Sequence, residues 1–426
     1  MIKNCYKTTE LAKALIAFQI YYNCVIKFCI GHLGVPSAAN YLTDAITIIL
    51  VFLMLRSSKA CVKKSGQLFC TVLFAAVVGI SFIVNGYSGT LLLWGARNVF
   101  RFYFFFFACV YFLEIKDFDD IAAKLKVLFW INTALIMYQR WVLNYIGDGC
   151  SGLYSLGNMS GGNGSVNVLM CVVVCYMLAE YASNRTKLGT LLLYLIASIA
   201  IAAAIELKFF FIELIIFVAL YIAVQQNSTK AFGLVVAFIV VLLYGMDMLQ
   251  RIYPAFEGIF AIDSLIEDSM QYGVSEKVGR LSGMGIILDR YLTTPFQKLF
   301  GIGLGNADYS SSFSFLTSAF YRQHTELAYY YFISAWMILE TGILGTVSYL
   351  ALIVFAIGKS WRLRKAREYH TYAALMMGFM ILLQFFYNQM LRVETSGYLL
   401  QLALALIFIV EKENCGVERE SSYGKN

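Results

Sequence analysis

The sequence predicts an all-α polytopic membrane protein, and three observations predict it. Hydrophobic residues make up 60% of the 426-residue chain and charged residues only 14%, with a mean hydropathy of +0.70. That is more apolar surface than one soluble core can hide. The apolar residues fall in windows of about 17 to 25, the length that crosses a bilayer as a helix. Basic residues collect in the short segments between alternate windows, where cytoplasmic loops carry them. The net charge of +7 therefore reads as topology, and no nucleic acid is expected as a partner.

About twelve windows qualify as spans: 11–30, 41–55, 68–85, 99–115, 127–145, 164–182, 189–205, 207–224, 231–248, 336–357, 371–388 and 398–410. With a cytoplasmic N-terminus, the inner segments gather most of the 33 basic residues. Arg56, Lys59, Lys63 and Lys64 follow the second span, and Lys359, Arg362, Arg364, Lys365 and Arg367 follow the tenth. Both termini are then cytoplasmic. The expected division is 1–248 as spans one to nine, 249–335 as one large outer loop, 336–410 as spans ten to twelve, and 411–426 as a cytoplasmic tail. No small-residue cleavage site follows window 11–30, so it is expected to stay as the first span.

Several local features carry structural expectations. The ten cysteines lie mostly in apolar runs, so no disulfide framework is expected. Cys171 and Cys175, at i, i+4 with no third ligand nearby, read as core packing. The Gly- and Ser-rich stretch 147–165 reads as flexible cover. DFDD at 117–120 contains Asp-x-Asp, but no α/β domain surrounds it. It reads as a solvated helix start, which disfavours nucleotide-sugar use.

Against the positive-inside pattern stand Arg97 and Arg101, on one helix face at the start of the fourth span, and Lys208, between the seventh and eighth. An ionisable group near a span costs about 2.5 to 3.5 kcal/mol on insertion scales, so such groups face a cavity or the headgroups. In the large loop, Arg280, Met284, Ile287 and Tyr291 mark one side of a helix that Thr293, Thr294 and Pro295 would stop. LFGIGLGN at 299–306 is a glycine turn whose amides could meet an anion; on local evidence it is a tight turn. RQHTELAYYYF at 322–332 should begin a helix that runs into the membrane. There Arg322 and Glu326 are spaced for an ion pair, and His324 points elsewhere. It is the sole histidine of this segment, and an imidazole suits a general base.

Taken in order, Gly279-Arg280, Pro295, LFGIGLGN, His324 and ETGILG at 340–345 make the chain resemble the signature region of the O-antigen polymerase and O-antigen ligase superfamily. Those proteins are membrane glycosyltransferases that act on polyprenyl-pyrophosphate-linked sugars. The resemblance implies a GT-C-like helical fold, with Arg280 on the pyrophosphate and Arg97, Arg101, Arg322 and Lys208 as supporting charges. It implies His324 at the catalytic centre, with Glu326 as the other candidate base. Thr325 stands where family members often carry Asn, and Leu207-Lys208 where a Ser-Arg pair is common.

The chemistry suits these residue types. Guanidinium groups neutralise a leaving pyrophosphate, and a base takes the proton of the acceptor hydroxyl. The leaving group is already activated, so no metal or other cofactor is expected. The expected function is an inverting polymerase at the outer face of the cytoplasmic (inner) membrane. It would join lipid-linked oligosaccharide repeat units into an O-antigen, capsule or exopolysaccharide. Its partners would be that substrate, the bilayer, a flippase and a chain-length regulator. Ligase-like transfer to a lipid or protein uses the same residues. A flippase or transporter is the alternative of another class, disfavoured because no internal repeat is evident and the polar residues gather on one face.

Overall fold

The computed structural model describes residues 2–57, 66–157, 161–224, 228–252, 277–364 and 368–423. Among them the long elements are helices: α1 Ile2–Leu33, α2 Leu42–Arg56, α3 Gly66–Asn85, α4 Gly89–Phe112, α5 Ile115–Trp141, α6 Asn163–Ala182, α7 Leu188–Ala204, α8 Lys208–Val224 and α9 Ser228–Ile252. Short helices α10 Gly283–Ile286, α11 Pro295–Phe300 and α12 Ala319–Gln323 lie in the loop, and α13 Ile333–Leu363, α14 Tyr369–Tyr387 and α15 Glu394–Tyr423 close the chain. Each window read from the sequence falls on one of the long helices. Among the described residues, eight helices are long and apolar enough to cross a membrane, which makes this a membrane protein. α4 is not among the eight, because Arg97, Asn98 and Arg101 interrupt its apolar run.

Helices that are apolar all round sit inside, as their composition requires. α6 buries nearly its whole length, and α14 and α15 pack beside it. Outer helices instead turn Phe69, Ile83, Leu55 and Phe232 outward, where a bilayer would cover them. Cys171 and Cys175 are fully buried in α6, in agreement with their reading as core. The stretch expected as flexible cover is a packed plug over residues 149–155: Gly152 N–H donates to Gln139 Oε1 at 2.7 Å and Leu153 N–H to Asn132 Oδ1 at 2.8 Å. Residues 158–160 of that stretch lie outside the described residues. Cys150 is buried in the plug, and burial pushes its thiol up to about 11.

One break in the bundle positions the loop. α13 is interrupted at Gly342, where φ is 66° and ψ is −167°. The carbonyls of Leu339 and Glu340 take the N–H groups of Ile302 and Gly303 at 2.9 and 3.0 Å, so a turn from another segment satisfies the interrupted helix. A Cβ on Gly342 would stand 2.5 Å from the Leu299 carbonyl oxygen, and one on Gly301 would stand 2.3 Å from the Glu340 carbonyl carbon. The two glycine motifs of the sequence are therefore mates. ETGILG opens the helix, and LFGIGLGN fills the opening. Ile302, Gly303 and Asn306, whose amides fall in the stretch considered for an anion, bond to protein carbonyls instead, and the next amide, Ala307 N–H, donates to Glu340 Oε1 at 2.9 Å.

Candidate functional site

In the segment expected as the large loop, description resumes at residue 277, and the Val278 N–H donates to the Leu327 carbonyl at 3.0 Å. That bond brings the neighbourhood of Arg280 to the neighbourhood of His324, 44 positions further along the chain. The helix expected from Arg280 onward starts only at Gly283, so Arg280 stands in the preceding turn. It continues through a wide turn over Ile287–Tyr291 and stops at Leu292. Thr294 and Pro295 do not end it but start the next helix. Thr294 accepts the Gln297 N–H in a capping box, with Pro295 in the first turn, the position a proline suits best.

His324 does not sit inside a helix. α12 ends there, two tight turns follow over Thr325–Leu327 and Tyr329–Tyr331, and Ala328 joins them at φ 55°. The expected Arg322–Glu326 pair is thereby lost: Arg322 Nη2 donates to the Ser314 carbonyl at 2.7 Å. Glu326 turns to the histidine, its Oε1 at 3.7 Å from His324 Nδ1. This is longer than a hydrogen bond but close enough for the carboxylate to orient the ring on a small movement. Phe320 and Tyr291 hold the imidazole at centroid distances of 4.6 and 5.2 Å, and the ring remains partly exposed.

Arg280 is half-buried, with its guanidinium 4.5 Å from the Tyr387 ring centre and 5.8 Å from that of Phe332. Tyr387 stacks on Phe209 at 3.6 Å and 4°, and Lys208 directly precedes Phe209 at the start of α8. One aromatic stack thus joins the neighbourhoods of Arg280 and Lys208. Residues 253–276 of the loop lie outside the described residues.

Arg97 and Arg101 belong to a different assembly. Arg97 clasps Asp44 through Nη2 and through Nε at 3.0 Å. Arg101 donates to Glu394 at 2.7 Å and to Asp44 at 3.3 Å, and is only 6% exposed. Beside them Arg392 donates to Asp308 at 2.6 Å, and Asn98 donates to the other oxygen of Asp308 at 2.6 Å. Among the described residues three arginines meet three carboxylates, so this knot is charge-balanced. It ties α2, α4 and α15 to the end of the glycine turn. Above it Tyr309 stacks on Tyr321 at 4.5 Å, and Trp94 Nε1 donates to the Tyr309 carbonyl at 3.2 Å. Burial pushes the Tyr309, Tyr321, Tyr329 and Tyr330 phenols up, so they remain neutral donors near neutral pH.

Sequence reasoning passes over Asp44, Asp308 and Glu394 because around Arg97, Arg101 and the glycine turn it weighs only the basic residues. Acids at outer helix ends were the available signal. It also passes over Glu213, fully buried in α8, which accepts from Asn167, Gln384 and the Cys171 thiol at 2.7, 2.6 and 3.3 Å. The DFDD segment is more than a solvated start. Asp117 caps α5 and pairs with Lys13 at 2.9 Å, while Asp119 accepts from Tyr176 and Tyr369 at 2.6 and 2.5 Å and lies 2.7 Å from His370 Nε2. Among the described residues no group of three or more His, Cys, Asp or Glu side chains gathers as a metal site. No family model matches the chain, and no curated protein matches it.

Proposed function

We propose that the protein is a membrane glycosyltransferase that polymerises polyprenyl-pyrophosphate-linked oligosaccharide repeat units into a surface polysaccharide. Transfer takes place on the outer face of the cytoplasmic membrane, with inversion at the anomeric carbon. The observation that supports this reading is the Val278–Leu327 bond, which joins the backbone two residues before Arg280, a phosphate-binding residue type, to the backbone three residues after His324. In this reading Arg280 and Lys208 hold the pyrophosphate, and the guanidinium stabilises charge as the phosphate leaves. His324 takes the proton from the acceptor hydroxyl, with Glu326 orienting the imidazole. Arg97, Arg101 and Arg322 are engaged with Asp44, Glu394 and Ser314 and shape the site instead of neutralising phosphate. A flippase that supplies the lipid-linked unit and a chain-length regulator are the partners that this role needs.

The test is to give the reconstituted protein a labelled polyprenyl-pyrophosphate oligosaccharide from its own host, without nucleotide or metal, and to resolve the products by size. A ladder of products is the expected result. A single shift that depends on an added lipid or protein acceptor would replace the polymerase reading with a ligase. Label that crosses the bilayer without any product would replace it with a transporter.

A further inference from the structure

The outward face of the arginine–carboxylate knot has no part in the transfer step described above, and its composition is specific. Arg97, Asp44 and Glu394 keep 25%, 18% and 25% of their side chains exposed, although each is ion-paired. Two aromatic rings flank the Arg97 guanidinium, Tyr41 at 5.2 Å and Trp94 at 4.8 Å. Tyr41 and Tyr309 are themselves 36% and 38% exposed. Beneath this face the Nε of Arg101, which is 94% buried, has no hydrogen-bond partner among the described residues. A buried guanidinium donor left unmatched marks a polar place that something else completes.

The charges select the class of ligand. Arg97 and Arg101 are balanced by Asp44 and Glu394, so an incoming phosphate would meet two carboxylates as well as two guanidinium groups and gain little. A sugar hydroxyl both donates and accepts, which suits a surface where guanidinium donors alternate with carboxylate acceptors. The C–H faces of a pyranose pack against aromatic π faces, whose negative charge they complement. We infer that Tyr41, Asp44, Trp94, Arg97, Tyr309 and Glu394 form a saccharide subsite that holds uncharged sugar residues of the glycan. Its place in the loop agrees. Tyr309 stacks on Tyr321 at 4.5 Å, and the neighbouring Phe320 packs on His324 at 4.6 Å, so sugars held here lie on the same loop as the base. The inference deepens the polymerase reading and rests on it for the identity of the glycan.

The experiment titrates two probes onto the full chain in nanodiscs: the repeat-unit oligosaccharide released from its carrier by mild acid, and polyprenyl pyrophosphate without sugar. Tyr41→Leu and Trp94→Leu are expected to weaken the oligosaccharide by at least about tenfold and to change polyprenyl pyrophosphate by no more than about twofold. Tyr41→Phe, which keeps the ring, is expected to bind the oligosaccharide as the unmodified chain does. Saturation transfer from aromatic protons to sugar protons should fall with the affinity. If Trp94→Leu does not fold, Tyr41→Leu carries the test, because Tyr41 is exposed. Unchanged oligosaccharide affinity in Tyr41→Leu overturns the inference. So does a loss of polyprenyl pyrophosphate instead of sugar, or a free oligosaccharide that does not bind the unmodified chain. Sugar binding with these variant effects, but no extension of lipid-linked donor by the unmodified chain, would sink the polymerase reading and leave the subsite standing.

Discussion

Arg101 and Arg280 begin as the same kind of residue, an arginine expected on the outer side of an apolar chain, and end in opposite settings. Arg101 lies under Asp44 and Glu394 with almost no exposure, in a knot where positive and negative charges cancel. Arg280 lies against the aromatic rings of Tyr387 and Phe332, in a turn hydrogen-bonded to the segment that carries His324. The first arrangement ties helix ends to one another; the second leaves a cation against aromatic rings, two residues from a backbone bond to the segment that carries His324. Their difference teaches that sequence locates a charge, whereas its partners decide what the charge does.

The largest expected effect falls on the loop side. His324→Ala should lower transfer by roughly a hundredfold to ten-thousandfold, the range that a positioned acid–base group contributes, with the thermal midpoint nearly unchanged because the ring is partly exposed. Equal turnover in this variant would remove the imidazole from the mechanism.

Next comes the knot. Arg101→Met takes from Glu394 its close partner and leaves Asp44 with Arg97 alone, and should cost up to about 3 to 5 kcal/mol of stability, read as a lower unfolding midpoint in detergent. An unchanged midpoint would mean that the knot is not what holds α2, α4 and α15 together.

Gly342→Ala comes third. It forces a side chain into a backbone region that is nearly glycine-only, worth about 1 to 3 kcal/mol, and sets a methyl group against the Leu299 carbonyl. Both stability and turnover should fall, because the glycine turn leads directly to Asp308. A fully stable Gly342→Ala would argue against the seating of that turn in α13.

The smallest effect is expected at Arg322, which is exposed and makes one bond to the Ser314 carbonyl. Arg322→Ala should change stability by about 0.5 to 1.5 kcal/mol and donor affinity by no more than about twofold. A large rise in donor KM would return Arg322 to the phosphate site.

The helices were legible because apolar windows of bilayer length are a strong signal, and LFGIGLGN stood out as a turn; the break at Gly342 did not, because ETGILG lies inside the apolar window 336–357. What could not be read was how distant segments pair. Gly301 and Gly342 fit together only once the chain has folded, and nothing near Arg101 in sequence announces Glu394, 293 positions away. The break at His324 was hidden for another reason. ELAYYYF contains no Gly or Pro, so the helical reading ran through it, yet Ala328 adopts the left-handed conformation there, which ordinary residues seldom do. With the helix broken, Glu326 lies 3.7 Å from His324 and not beside Arg322, an approach that regular helical spacing forbids.

The most direct measurement compares Arg280→Ala with Arg101→Met in one reconstituted system, recording donor KM and unfolding midpoint for each. The account predicts that Arg280→Ala raises donor KM by about tenfold or more at an unchanged midpoint, while Arg101→Met lowers the midpoint. An Arg280→Ala protein that keeps its donor KM, beside a stable Arg101→Met protein that loses it, would contradict the division and place the phosphate in the knot.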